Sequence, residues 1–173
     1  MTGNLDYEVV RGAIPKVLAQ RTADALRKQP QHPREKYSAF EIPPVCSEVR
    51  DTFVNNTGKP VLSRAFHPKP VPSQPDHIFA GIFRETVADP TKLKTAEKGE
   101  IYVTIALTPL SPENGWYTFY RGVRANQSAP TSETPKDALN LDVGDAVVWR
   151  GDLIYIHSSG GGGIFQTIVY NPN

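Results

Sequence analysis

Short apolar segments recur throughout residues 76–173 and are separated by polar turns rich in Gly, Pro, Asn and Asp. Segments 101–107, 146–149 and 164–170 are the strongest, because β-branched and aromatic side chains dominate them and such residues favour strands. No helical segment separates one strand from the next, which argues against a parallel α/β sheet. Six or seven short strands with this spacing predict an all-β sandwich or barrel. The other predicted strands are 77–86, 116–120, 139–141 and 153–157.

Residues 1–75 show a different pattern and predict a cover for the β core. Residues 7–11 alternate between polar and apolar and predict a short strand. In residues 16–28 apolar side chains recur at helical spacing, and Pro15 is well placed to begin that helix. Residues 30–75 are rich in proline, so we expect an irregular segment with at most one short helix near residues 46–53. The whole chain, 1–173, is predicted to be one domain.

Composition narrows the function classes. Hydrophobic residues make up 39% of the chain and charged residues 21%, which is ordinary for a globular domain. The formal net charge is +1 and no basic stripe is interleaved with aromatics, so we expect no nucleic-acid partner. Cys46 is the only cysteine, which excludes an intrachain disulfide and a cysteine-based zinc cluster. No signal peptide or membrane-length apolar run is recognisable, so we expect an intracellular, cytoplasmic protein without membrane contact.

Three motifs in the C-terminal half carry a family resemblance. Residues 105–115 form a strand that ends in Glu-Asn-Gly, residues 141–149 contain a Gly-Asp turn before a strand, and residues 157–163 read His-Ser-Ser-Gly-Gly-Gly-Gly. In this order they resemble the fungal phytanoyl-CoA dioxygenase-like family of iron(II)/2-oxoglutarate-dependent oxygenases, and the N-terminal strand and helix are arranged like that family's opening. The resemblance implies a double-stranded β-helix, the cupin-like jelly roll, as the fold of the core.

The resemblance also implies an iron site of two histidines and one carboxylate, with His157 in the place of the distal histidine. The first two ligands of that site come as His-x-Asp or His-x-Glu, because alternate strand residues point to the same side. None of His32, His67, His77 and His157 has a carboxylate two positions later. Asp76 and His77 are the nearest substitutes, but adjacent strand residues point to opposite faces. We therefore predict no metal site, with His157 alone matching a ligand position.

The resemblance further implies a basic side chain, usually arginine, about ten residues after the distal histidine to bind 2-oxoglutarate. No arginine or lysine follows Arg150 in this sequence. Gln166, in the strand concerned, can hydrogen-bond a neutral ligand but cannot neutralise a buried carboxylate. We predict that the protein itself uses neither iron(II) nor 2-oxoglutarate as a cofactor. The glycines at 160–163 are interpreted as a flexible hairpin.

Three functional hypotheses follow. The favoured one is a catalytically degenerate oxygenase-like protein that serves as a non-catalytic partner subunit of an active, related oxygenase in fungal natural-product biosynthesis, as a hetero-oligomer or by self-association. The second is a metal-independent isomerase or cyclase that binds a small molecule in the barrel mouth. Its candidate acid, base or oxyanion-binding residues are His157, Asp76, His77, Arg121, Tyr155 and Gln166. The third is an iron/2-oxoglutarate oxygenase with an atypical triad.

Overall fold

The computed structural model describes residues 6–86, 92–96, 99–124 and 128–171, which form a mostly-β protein with three helices and two antiparallel sheets. The helices are α1 (Lys16–Arg27), α2 (Val45–Asn55) and α3 (Gly58–Phe66). The strands are β1 (Tyr7–Val10), β2 (Gln31–Pro33), β3 (Tyr37–Phe40), β4 (His77–Phe83), β5 (Ile101–Ala106), β6 (Thr118–Arg124), β7 (Lys136–Ala138), β8 (Ala146–Arg150), β9 (Leu153–Ile156) and β10 (Ile164–Tyr170). No helix among these residues is both long enough and apolar enough to cross a membrane.

The larger sheet has seven strands in the order β1-β8-β5-β10-β4-β3-β2. Its central strand β10 is buried along its whole length, because both faces of the sheet are covered. Ile164, Ile168 and Tyr170 face the helices, whereas Phe165 faces the smaller sheet. Side chains that alternate between two buried faces explain why β10 reads as an almost continuous apolar run.

The smaller sheet has three strands in the order β7-β6-β9 and lies against the free face of the larger one. Trp116, Phe119, Trp149 and Leu153 are among the buried side chains between the two sheets. The strand predicted at 139–141 is wrong: the third strand of this sheet is β7, and Leu141 makes only an isolated bridge. The other strands predicted from the sequence are all found, with ends that differ by a few residues.

The helices cover the other face of the larger sheet. Helix α1 matches the predicted helix and buries one side, on which Leu18 and Leu26 lie. The short helix predicted near residues 46–53 is found as α2, but the prediction that the rest of 30–75 is irregular is wrong, because this region also contains β2, β3 and α3. Its prolines occupy positions where they do little harm: Pro44 precedes α2, and Pro60 lies in the first turn of α3, where a backbone N–H needs no intrahelical partner.

Candidate functional site

A cavity of about 270 Å³ lies between the two sheets. Aromatic side chains form most of its wall, and threonine and tyrosine hydroxyls are among its polar groups. The lining residues are Tyr37, Phe79, Phe83, Ala96, Tyr102, Thr104, Trp116, Tyr117, Trp149, Tyr155, Phe165 and Thr167. None of these side chains carries a formal charge at neutral pH, which is the first chemical property of the site.

Strand alternation places the lining residues. Phe79 and Phe83 on β4 are separated by an even number of positions, as are Tyr102 and Thr104 on β5, so each pair points to one face. On β10 the same rule places Phe165 and Thr167 side by side at the cavity. Strands β4, β5 and β10 of the larger sheet thus each contribute two side chains to the cavity wall.

A short chain of hydrogen bonds forms the polar part of the cavity wall. The indole Nε1 of Trp149 donates to Thr104 Oγ1 over 3.1 Å, and Thr104 Oγ1 lies 3.2 Å from Thr167 Oγ1. Both threonines are buried, at 2% and 3% exposure. Each hydroxyl has at least one hydrogen-bond partner, so this part of the wall needs no ion.

His157 lies at one end of the cavity. Its ring packs edge-on against Phe83 and Tyr117, with centroid distances of 5.5 and 5.0 Å. Nδ1 is 3.4 Å from the Ser158 carbonyl oxygen, and Nε2 is buried without a hydrogen-bond partner among the described residues. Burial lowers the pKa of His157 to about 4, because the charged imidazolium loses its hydration. The imidazole is therefore neutral at physiological pH.

The phenols at the cavity are also neutral. Tyr117 and Tyr155 stack with ring centroids 4.2 Å apart. Burial raises the pKa of Tyr155 to about 12 and that of Tyr117 well above 10, because a phenolate would be desolvated there. Neither phenol is a ready proton donor at neutral pH, so the cavity is a hydrophobic and weakly polar environment.

The glycines at 160–163 follow His157 in the chain and pack closely against neighbouring segments. The expected hairpin is wrong, because the strands on either side of this segment, β9 and β10, lie in different sheets. A Cβ on Gly160 would clash with the Glu113 carbonyl oxygen, and one on Gly161 would come within 2.5 Å of the Glu85 nitrogen. Gly162 donates its N–H to the Phe83 carbonyl over 2.9 Å. Gly160 and Gly161 need glycine because neighbouring backbone atoms leave no room for a Cβ, whereas Gly162 has open space and a left-handed φ of 100°.

Of the six residues predicted for the site, Tyr155 lines the cavity and His157 borders it. Asp76 and His77 are exposed and lie where β4 begins, with His77 paired to Val169. His157 contacts Phe83, which lies at the other end of β4. At the usual rise per residue the two ends of this strand are about 20 Å apart. The structure does not bring the two groups together.

Arg121 and Gln166 also lie outside the cavity. Arg121 is exposed on β6, and its guanidinium pairs with Asp137 on β7. Gln166 is fully buried but faces the helices, where its Nε2 donates to the Cys46 carbonyl oxygen over 2.8 Å. The polar residue of β10 that faces the cavity is Thr167, ten positions after His157.

Sequence reasoning missed Tyr37, Thr104 and Thr167 as lining residues. A signal existed for Thr167, because the family resemblance implied a ligand-binding side chain at about that distance from the distal histidine. No such signal existed for Tyr37, which enters from the proline-rich region through β3.

The residues present do not fit iron or 2-oxoglutarate. The described residues contain no group of three His, Cys, Asp or Glu side chains arranged to hold a metal ion. At the distance where the resemblance implies a cation stands Thr167, whose hydroxyl is bonded to Thr104. A buried carboxylate there would have no counter-charge among the lining residues.

Comparison with solved structures identifies the fold. No family model matches the sequence, and no curated protein matches it either. The epimerase SnoN, in complex with Fe³⁺, alpha-ketoglutarate and nogalamycin RO, superimposes with a TM-score of 0.68 at 9% identity, over 97% of this chain and 80% of SnoN. HygX from Streptomyces hygroscopicus, with nickel, 2-oxoglutarate and hygromycin B bound, gives 0.67 at 13% identity, over 98% of this chain and 84% of HygX.

The carbocyclase SnoK from nogalamycin biosynthesis, described as non-heme and alpha-ketoglutarate dependent, gives a TM-score of 0.62 at 12% identity, over 96% of this chain and 80% of SnoK. The chain therefore has the fold of non-heme 2-oxoglutarate-dependent enzymes. At these identities the likeness extends to the fold alone.

Proposed function

We propose that this chain is a non-catalytic member of the oxygenase fold, a reduced double-stranded β-helix that serves as a partner subunit of an active iron/2-oxoglutarate oxygenase in natural-product biosynthesis. The fungal origin implied by the sequence motifs belongs to the same proposal. The main supporting observation is on the face of the larger sheet that lines the cavity. There Thr167, hydrogen-bonded to Thr104, occupies the position where the resemblance implies a basic side chain. A domain that has the core of this fold but lacks the charged residues needed for catalysis is suited to a non-catalytic role in a complex with an active enzyme.

The hydrogen bonds of two motif residues support this interpretation, because their side chains bond to backbone groups. Asn114 accepts a hydrogen bond from the Ser111 N–H over 2.9 Å and donates to the Pro109 carbonyl. The Asp145 carboxylate accepts from the N–H groups of Gly12 and Asp142, at 2.8 and 2.9 Å. Asn114 and Asp145, two of the motif residues, thus stabilise turns of the backbone.

The outer face of the smaller sheet is a candidate surface for the partner. Ala138, Thr118 and Ile156 are register partners across its three strands, and all three retain solvent exposure. The opposite side of the molecule is covered by the helices, whose side chains join the main core. A small, partly apolar row on a flat sheet face is a suitable centre for a protein contact.

Two experiments test the proposal. Purified protein is incubated with iron(II) and 2-oxoglutarate, and bound metal is measured by mass spectrometry, with HygX as the positive control. We expect no stoichiometric iron; one iron per chain together with bound 2-oxoglutarate would contradict the proposal.

In the second experiment the chain is mixed with active 2-oxoglutarate oxygenases from the same organism, and the mass of the mixture is measured by light scattering. We expect a hetero-oligomer that changes the partner's turnover and that Ile156→Arg weakens, with exposed Val17→Arg as the matched control. A protein that stays monomeric and alters no partner's turnover would refute the partner role.

A metal-independent isomerase or cyclase is a second candidate, favoured by His157. Its Nε2 is buried, unpaired among the described residues and next to the cavity, so a neutral imidazole could accept a proton from a bound molecule. Turnover of a small molecule by the chelator-treated protein alone, abolished in His157→Phe, would establish this activity. Turnover that persists in that variant would exclude His157 as the base.

A further inference from the structure

We propose that the cavity binds an uncharged aromatic or unsaturated molecule of one or two rings that carries a carbonyl oxygen, and that this oxygen accepts a hydrogen bond from the Thr104–Thr167 pair. The inference rests on the proposed function in one respect: the space must be free of iron and 2-oxoglutarate. The ligand class follows from the size, walls, hydrogen bonds and charge of the cavity.

Size limits the ligand to one or two rings. The volume of about 270 Å³ lies just below the range of about 300–1,000 Å³ typical of drug-sized ligands. An engineered apolar cavity of about 150 Å³ in another protein accommodates benzene. A bicyclic compound is therefore the upper limit for a ligand that is wholly enclosed.

The walls favour a flat, electron-rich or polarisable ring. Tyr37, Phe79 and Phe165 contact one another at centroid distances of 5.5 to 6.0 Å on one side. Tyr117 and Trp149 contact one another at 6.0 Å, nearly perpendicular, on another. A planar ligand finds both ring faces and ring edges here, which are the two favourable geometries for aromatic contacts.

The hydrogen-bond count favours an acceptor on the ligand. Thr104 and Thr167 together have two hydroxyl hydrogens, and the bond between them uses one. Trp149 donates to Thr104 and so adds no acceptor. In the part of the chain that the structure describes, the second hydroxyl hydrogen has no assigned acceptor. A ligand carbonyl can supply it.

A second unpaired donor strengthens this argument. Trp116 lines the cavity and is fully buried, and its Nε1 has no hydrogen-bond partner among the described residues. Buried indole N–H groups are usually paired, because an unpaired one has lost its hydrogen bonds to water. Unpaired donors at the cavity wall indicate a ligand that carries an oxygen acceptor.

The absence of charge on the lining residues excludes acids. Among the described residues that line the cavity there is no lysine, arginine or histidine. A carboxylate or phosphate would be desolvated there without a counter-ion, which is strongly unfavourable. The cavity should therefore discriminate between a ketone and a carboxylate of the same ring size.

The test uses the two tryptophans of the chain, Trp116 and Trp149, because both line the cavity and no other tryptophan contributes fluorescence. Binding of 1-tetralone, naphthalene and 1-naphthoate is followed by quenching of this fluorescence and by calorimetry on the intact protein. We expect tetralone to bind most tightly, naphthalene about threefold to tenfold more weakly for want of one hydrogen bond, and naphthoate not to bind.

Variants locate the ligand. Thr167→Val should weaken tetralone about threefold to tenfold and leave naphthalene unchanged, whereas Thr22→Val, the same change in buried α1, should alter neither. Ala96→Phe, which fills the cavity, should abolish binding of both. Failure of tetralone to bind the wild-type protein, or equal binding of naphthoate, would overturn the inference and leave the partner role intact. Stoichiometric iron in the metal analysis would instead refute the proposed function.

Discussion

The buried imidazole of His157 gives the protein a pH-dependent stability that can be measured directly. The residue is 8% exposed and lies between Phe83 and Tyr117. Burial lowers its pKa to about 4 from the ordinary 6.5. The unfolded chain therefore binds this proton more readily than the folded one does. Stability from this group is fully present above about pH 6.5 and is lost as the pH falls towards 4.

The size of the effect follows from the two pKa values. A separation of about 2.5 at about 1.4 kcal/mol per pH unit gives a loss of about 3 kcal/mol between pH 6.5 and 4. That is a large share of the roughly 5–15 kcal/mol that stabilises a typical domain. The Asp137 and Asp152 carboxylates change the free energy of unfolding only at lower pH, because hydrogen bonds hold their pKa values below 3.8.

Urea unfolding of the wild type and of His157→Phe, followed by tryptophan fluorescence across this pH range, measures the effect. Between about pH 6.5 and 4 we expect the free energy of unfolding of the wild type to fall by about 3 kcal/mol more than that of the variant. At neutral pH the variant should be about as stable as the wild type, since it keeps the ring contacts and removes an unpaired nitrogen. Exposed His77→Gln is the control and should follow the wild type. Parallel pH curves for wild type and His157→Phe would refute the reasoning.

Four further variants separate structural from functional roles, and urea unfolding measures the stability of each. Gly160→Ala places a methyl group against the Glu113 carbonyl oxygen and should lower the free energy of unfolding by about 3 kcal/mol. Gly162→Ala has open space around the new methyl group but a left-handed φ of 100°, so it should lower the free energy of unfolding by only about 1–2 kcal/mol. Equal losses would contradict the close packing at Gly160. Asp145→Asn weakens hydrogen bonds to a charged carboxylate and should cost about 2–3 kcal/mol, and an unchanged midpoint would show that this turn is held otherwise. Gln166→Met should change stability by less than about 1 kcal/mol and leave tetralone binding intact, because this side chain faces the helices; lost binding would show that it reaches the cavity.

Much of the fold could be predicted from local sequence. β-Branched and aromatic runs identified β5, β8 and β10, and the apolar spacing after Pro15 identified α1. The short helix predicted near residues 46–53 is found as α2. Helix α3 could not be predicted in the same way, because proline content is a strong signal for irregular structure and the exact position of each proline decides whether a helix forms. Pro60 falls in a first turn, where proline is tolerated, and Gly58 allows α3 to pack closely on the Phe53 ring.

The sequence by itself determined that no histidine has a carboxylate two positions later and that no cation follows Arg150, since both are facts of composition and spacing. Only the tertiary structure decided which side chains share the cavity. β10 is buried on both faces, so its hydrophobic pattern does not reveal which residues face the helices and which face the smaller sheet. The register of β10 between β4 and β5 places Gln166 outside the cavity and Thr167 within it, and the length of β4 separates His77 from His157.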